Sequence, residues 1–334
     1  MKRILIIGGT RNVGYFTTRR LIEAGHQVTL LNRGKSPDDL PAELPRLRAD
    51  RTNAQQMKRA LLAKAFDVVI DFVMYRSVEA SMMVELLRGH VGHYIVISSG
   101  QVYLVREGLE RPFKETDYEG RLTPAPKVGT YAYEEWLYGM DKRGVEDVFI
   151  AHPDFPCTRL RLPMINSERD PMRRLYQYFL RIKDGGPLLV PETPDLPLRH
   201  VYQDDVVRAI ELLVASGEGK GDAINLCHDE MLSLPEFLAL LAQIKGRPMP
   251  KLVWVKYSQL EAAGFLPDCS PFSDRWMSVL DNTYSKERYG MTYTPLAQAL
   301  ENIVRYYRQF PPPIPTSYKR RHAELEFAAQ TIQG

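Results

Sequence analysis

Short apolar runs alternate with stretches of helical periodicity through the first hundred residues. Ile4-Leu5-Ile6-Ile7 reads as a buried strand that runs straight into Gly8-Gly9. A helical pattern over 13–24 follows, stopped by Gly25, and Val28-Thr29-Leu30-Leu31 is a second strand. Met57, Leu61 and Leu62 mark a helix face ahead of a strand over 66–71. Met82, Met83, Leu86 and Leu87 mark the next helix, before Tyr94-Ile95-Val96-Ile97 and Ser98-Ser99. This alternation predicts βαβ units and a parallel, doubly wound sheet, an α/β fold.

The texture then changes. Residues 105–130 carry many charges with Pro112, Pro124 and Pro126, and read as a long loop, either a substrate-shaping lid or plain surface. A helix is predicted over 133–148 and a strand over 158–162. Beyond them Pro187, Pro191, Pro194 and Pro197 interrupt the chain and helices dominate. Ser233-Leu234-Pro235-Glu236 is a capping box opening a helix that buries Phe237, Leu238, Leu241 and Ile244, with Gly246 as its stop. Leu296, Leu300, Ile303, Val304 and Tyr307 form the stripe of a last helix, ended by Pro311-Pro312-Pro313. The tail after it shows no apolar face and reads as an arm or a disordered end, its Lys319-Arg320-Arg321-His322 run solvated. With the glycine turn after the first strand, where a nucleotide phosphate meets a helix N-terminus, the expected organisation is a dinucleotide-binding domain over 1–165, with 200–228 returning to it. A smaller, mainly helical C-terminal substrate-binding domain takes 166–199 and 229–310, and 311–334 is a tail.

Charge adds little to this picture. The chain has 44 basic against 41 acidic residues with no dominant basic cluster, so its charge gives no argument for nucleic acid. Cys157, Cys227 and Cys269 are far apart and odd in number, which favours reduced thiols and a cytoplasmic setting. The apolar run after Met1-Lys2-Arg3 is too short for a signal peptide, and no apolar stretch reaches membrane-spanning length. His90 and His93 lie near a turn without an acidic or cysteine partner, and no metal site is expected.

The chemistry lies in three segments. The first is the loop after the first strand, where a phosphate would meet a helix N-terminus. Gly8, Thr10, Arg11, Asn12, Val13 and Gly14 are its candidate contacts, with Arg11 where a middle glycine usually stands. The second is Ser98-Ser99-Gly100-Gln101-Val102-Tyr103. The third is Tyr138-Gly139-Met140-Asp141-Lys142, whose tyrosine and lysine lie four apart on one helix face. A nearby ammonium favours the phenolate and moves a tyrosine towards acid/base duty.

In this order the three segments resemble an extended short-chain dehydrogenase/reductase, the NAD(P)-dependent epimerase/dehydratase family. Arg161-Leu162-Pro163, Tyr202-Gln203-Asp204-Asp205-Val206 and Asp281 to Gly290 resemble later segments of that family, so the likeness spans roughly residues 1 to 308. Gly-Gly-Thr-Arg is typical of an atypical branch that includes chloroplast stem-loop RNA-binding proteins. The resemblance implies a Rossmann domain, Ser99 as catalytic hydroxyl and Tyr138 as acid/base. It makes Lys142 both catalytic and a ribose-binding residue. Tyr131 and Tyr133 compete with Tyr138 only by proximity, since Glu135 and Leu137 stand where their lysines would be.

The end of the second strand offers Asn32, Arg33 and Lys35 rather than an acidic residue, which with Arg11 favours NADP(H) over the alternative NAD(H). Asp50 and Arg51 resemble the segment bordering the adenine, and Phe72 after the strand at 66–71 is a further expected cofactor contact. Gly100 and Gln101 replace the Asp-Glu pair of sugar-nucleotide dehydratases, which disfavours dehydration and leaves Gln101 as a substrate contact. Arg199 is read either as a diphosphate ligand or as a structural salt bridge, whereas Asn166-Ser167 departs from the family's usual Tyr-Gly. The expected function is an NAD(P)-dependent oxidoreductase or epimerase acting on a polar, nucleotide-sugar-like alcohol or ketone. The alternatives are an RNA-binding or RNA-cleaving protein of the same fold, or a non-catalytic NADP-binding sensor. Family members often dimerise through two helices of the nucleotide domain, so a homodimer is implied.

Overall fold

The computed structural model describes residues 1–192, 197–273 and 275–333; Pro194 lies outside them. In chain order come β1 (Arg3–Ile7), α1 (Asn12–Glu23), β2 (Gln27–Asn32), β3 (Arg46–Arg48), α2 (Ala54–Leu61), β4 (Val68–Asp71), α3 (Ser77–Leu87) and β5 (Tyr94–Ser99). Next are α4 (Gln101–Leu104), α5 (Tyr131–Ile150), β6 (Cys157–Leu162), β7 (Ile165–Asn166), α6 (Arg174–Asp184), β8 (Leu188–Glu192) and β9 (Val201–Tyr202). The chain ends with α7 (Gln203–Ser216), β10 (Ala223–Asn225), α8 (Leu234–Lys245), β11 (Leu252–Lys256), α9 (Tyr257–Ala262), α10 (Thr283–Tyr289), α11 (Leu296–Gln309) and α12 (Arg321–Gln333).

Two compact units divide these elements. The first holds Met1–Pro163, Gln203–Cys227 and Leu280–Thr292. Its seven-stranded parallel sheet runs β10-β6-β5-β4-β1-β2-β3. Helices cover both faces of such a sheet, which is why Ile4 to Ile7 are all buried and read as a continuous apolar run. The chain winds outward from β1 through β2 to β3, then returns to β4 on the other side of β1. That reversal opens a crevice at the C-terminal ends of β1 and β4, where open α/β sheets bind ligands.

Some elements differ from expectation. The strand expected over 66–71 pairs regularly only from Val68, with Phe66 making an isolated bridge to Val91. Leu62 is exposed, because α2 ends at Leu61 and turns its apolar face inward at Met57 and Leu61. The segment 105–130 is neither a free lid nor plain surface. Its Phe113 and Tyr118 are buried in one cluster with Tyr103, and the Thr123 N–H donates to Val105 O at 2.8 Å. Residues 280–292 also belong to the first unit, beyond the 200–228 return expected from sequence.

The second unit comprises Met164–Tyr202, His228–Val279 and Tyr293–Gly334. Side chains of α6, α8 and α11 form its main core, around Phe237, Leu238, Leu241, Leu300, Ile303 and Tyr307. Ser233 caps α8 and Gly246 ends it in the left-handed region, the ends its sequence predicts. The tail contradicts the expectation of a coreless arm. Helix α12 packs Ala328 into a cluster with Leu189, Val253 and Leu260. Glu324 takes two hydrogen bonds from Arg181, at 2.6 and 3.0 Å, with both side chains buried. Arg321 is buried as well and bonds Asp184, so the basic run is not simply solvated. Ion pairs hold this helix where an apolar stripe normally would, and hydrophobic periodicity does not register them.

Candidate active site

The site begins with backbone. Gly8 has φ +85, and a Cβ there would fall 2.6 Å from Val73 Cγ1. A Cβ on Gly14 would fall 2.9 Å from Gly8 O and 3.3 Å from the Phe72 ring. The loop is therefore a close-packed glycine cradle at the crevice between β1 and β4. Thr18 Oγ1 locks it by donating towards Gly9 O and Gly14 O at 2.9 and 2.8 Å. At the start of α1, Arg11 makes no capping side-chain bond and the first turn carries no acidic residue. The N–H groups there can meet an anion with the helix dipole behind them. Val13 is buried, so it offers a ligand only its backbone. Asn12 Oδ1 is buried without a hydrogen-bond partner, a group that a hydroxyl of a bound dinucleotide would satisfy. These features fit a dinucleotide cofactor.

At the end of β2, Asn32 Oδ1 accepts the Gly34 N–H at 2.9 Å and an N–H of Arg48. Arg48 was not among the sequence candidates. Strand β3 is three residues long, too short for a periodicity signal, yet its pairing sets Arg48 opposite Asn32. Arg33 is exposed and lies 3.8 Å from Asp50. Asp50 accepts from Thr52 N and Thr52 Oγ1, and these bonds hold its carboxyl below the ordinary range.

Arg51 needs correction as a cofactor ligand. Its guanidinium forms a buried fork on Asp71, both bonds 2.7 Å, which leaves it to structure rather than to adenine. Burial pushes the Asp71 carboxyl up, but Arg51 and the Tyr94 hydroxyl, 2.7 Å away, more than offset this and hold it low.

Ser99 closes β5, and its Oγ accepts the Gln101 N–H at 3.2 Å. Tyr138 and Lys142 ride on α5, which approaches α4 closely at Gly139, where a Cβ would fall 2.8 Å from Gln101 O. The fold thus brings Ser99 and the Tyr138–Lys142 helix to one end of the sheet. Lys142 is buried; its Nζ donates to Met74 O at 2.7 Å and Ile97 O at 2.9 Å. The ammonium lies 4.9 Å from the Tyr75 ring centre and 5.9 Å from that of Tyr138. Burial pulls its pKa down to about 8, against the opposing pull of Asp71 and Glu146. Tyr133 stacks on Trp136, with ring centres 6.0 Å apart.

Gln101 does not present a free amide: its Nε2 donates to Glu135 at 2.6 Å. Sequence reasoning passed over Glu135, although its place three residues before Tyr138 puts it on the same helix face. Arg199 lies in the second unit, where it donates to the carbonyl oxygens of His228, at 2.9 Å, and Asp229, at 3.4 Å. Two sides of its guanidinium are thus tied to backbone, the structural role that was the alternative to a diphosphate ligand.

Residues 4–85 match the model of the NAD dependent epimerase/dehydratase family. Over that stretch the chain is similar to this family. It is 27% identical over 268 residues to the chloroplast stem-loop binding protein of 41 kDa b from Arabidopsis thaliana, covering 75% of this chain and 65% of that protein. The chain thus spans about two thirds of that relative's length. It is also 27% identical over 289 residues to 2'-dehydrokanamycin reductase from Streptomyces kanamyceticus, covering 84% of this chain and 76% of that one. Among solved structures, a similar fold appears in UDP-glucose 4-epimerase from Thermotoga maritima, with a TM-score of 0.70 at 20% identity over 92% of this chain and 99% of that one. The Bordetella bronchiseptica enzyme WbmH in complex with NAD+ gives 0.70 at 17% identity over 93% of this chain and all of that one, 100%. Cys157, Cys227 and Cys269 are all buried, and none of them is in a disulfide among the described residues. Among the described residues no helix is long and apolar enough to cross a membrane.

Proposed function

We propose that this protein is an NADP(H)-dependent oxidoreductase or epimerase that acts on a polar alcohol or ketone. The observation that carries the reading is the convergence of the glycine cradle, Ser99 and the buried Lys142 beside Tyr138 at one end of the parallel sheet. A relative named as a reductase and a structural neighbour holding NAD+ support hydride chemistry on a nicotinamide.

A bound nicotinamide supplies the hydride acceptor or donor. Tyr138 takes the proton of the substrate hydroxyl when an alcohol is oxidised and returns it when a ketone is reduced. Ser99 holds the same substrate oxygen. Lys142 keeps positive charge beside the phenol, and its ammonium, already bonded to two carbonyl oxygens, keeps a further N–H for a ribose hydroxyl. At the other end Arg48 donates to Asn32 while Arg33 and Lys35 lie near Asp50, and this group of cations suits a 2'-phosphate, guanidinium groups forking well onto phosphate oxygens.

Tyr138→Phe tests the reading. It should abolish turnover, by a factor of about 100 or more, and leave NADPH affinity nearly unchanged in a fluorescence titration. Undiminished turnover would overturn the assignment.

A further inference from the structure

Glu135 lies on α5 three residues before Tyr138, on the same helix face, with Lys142 continuing the stripe seven residues on. Gln101 is 7% exposed and donates from Nε2 to Glu135 Oε2 at 2.6 Å. The oxygen of the same amide, Oε1, is buried with no hydrogen-bond partner. Leaving a buried carbonyl unpaired is costly. The amide is therefore held for its donor end, because turning it over would set its oxygen against the carboxylate.

Three contacts fix this arrangement. The Gln101 backbone N–H donates to Ser99 Oγ at 3.2 Å. Gly139 admits the Gln101 carbonyl so closely that a Cβ would fall 2.8 Å from it. The Trp136 indole donates to Thr123 O at 3.2 Å, holding the segment 105–130 against the same end of the helix. Glu135 itself keeps part of its surface open. Lys142 stands about 10 Å further along the helix axis, and its bonds run to the Met74 and Ile97 oxygens.

We propose that Glu135, aimed by Gln101, binds a protonated amine of the substrate, close to the hydroxyl or carbonyl that Tyr138 serves. An ionised carboxylate only accepts hydrogen bonds and so selects a donor-bearing group. An ammonium offers three donors and an opposite charge, and such charge-assisted bonds are the strong ones. Gln101 is a positioning residue here rather than a direct substrate contact. The proposal rests on the hydride-transfer reading and narrows its substrate to amino-bearing alcohols or ketones.

Calorimetric titration of the full chain saturated with NADPH tests it, with the aminoglycoside tobramycin and its fully N-acetylated form as probes. Tobramycin should bind at least about tenfold more tightly than the acetylated form. Glu135→Gln should erase that preference while NADPH affinity and melting temperature stay as in the wild type. Gln101→Met should weaken tobramycin in the same direction by a smaller factor. Equal binding of the two probes, no binding of tobramycin, or a preference that survives Glu135→Gln would each overturn the proposal. The readout is binding, so it separates the two readings. An amine preference without NADP+-dependent oxidation of any alcohol would remove the hydride reading and leave the amine site standing.

Discussion

The first unit places cations at two points where it would meet a dinucleotide, and the two are built in opposite ways. Lys142 is buried, bonded to two carbonyl oxygens and pulled down to about pKa 8 by its burial. Arg33 and Arg48 stand in the open at the end of β2, with Asp50 and Asn32 as neighbours. Burying a charge is expensive and is tolerated where chemistry needs a fixed ammonium. An exposed guanidinium costs little to keep, is screened by salt and can be exchanged without disturbing the fold. The contrast implies that the buried end determines whether the protein turns over and the exposed end determines which dinucleotide it prefers.

The largest expected effect falls on the buried end. Lys142→Met should lower turnover by a factor of about 100 to 10,000 and weaken NADPH binding, read by steady-state kinetics and fluorescence titration. Retained turnover would erase the distinction between the two ends. Next comes stability. Arg51→Ala leaves Asp71 buried without its fork, and urea unfolding should show a loss of about 3–5 kcal/mol. The exposed Arg48→Ala should move the urea midpoint little, and an equal loss there would contradict the comparison.

A smaller effect is expected on cofactor choice. Arg33→Ala and Arg48→Ala should each weaken NADPH about tenfold more than NADH, with the difference shrinking as salt rises. Equal losses for both dinucleotides would remove the argument for NADP(H).

The last effect is a pH slope. Burial lowers the Lys142 pKa to about 8 in the folded state, against about 10.4 when unfolded. Between these values the unfolded chain holds more protons, so the stability of the cofactor-free protein should rise with pH. Below pH 8 both states are protonated and this contribution is flat. The rise should be missing from Lys142→Met in chemical unfolding followed across that window.

Legibility in the sequence tracked the kind of interaction. Ile4 to Ile7, 94–97 and the Ser233–Glu236 box announced themselves because buried parallel strands and capped helices follow local rules. Helix α12 was missed because Arg181–Glu324 and Arg321–Asp184 hold it, pairs 143 and 137 residues apart in sequence. Arg51 looked like a ligand and is a structural ion pair with Asp71, a partner 20 residues away that no motif names. Glu135 was within reach, since its spacing from Tyr138 was readable. Its tie to Gln101, 34 residues distant, was not.

The sequence by itself determined the parallel sheet, the glycine turn into α1 and the spacing of Tyr138 and Lys142 on one helix, because these follow from nearest-neighbour periodicity and backbone geometry. Tertiary structure alone decided which charges are spent. It buried Lys142 against two carbonyl oxygens, committed Arg51 to Asp71, brought Arg48 to Asn32 and aimed Gln101 at Glu135. Hydrogen-bond and ion-pair partners are chosen by proximity in three dimensions, and in this chain that proximity is made by the parallel crossovers of the sheet.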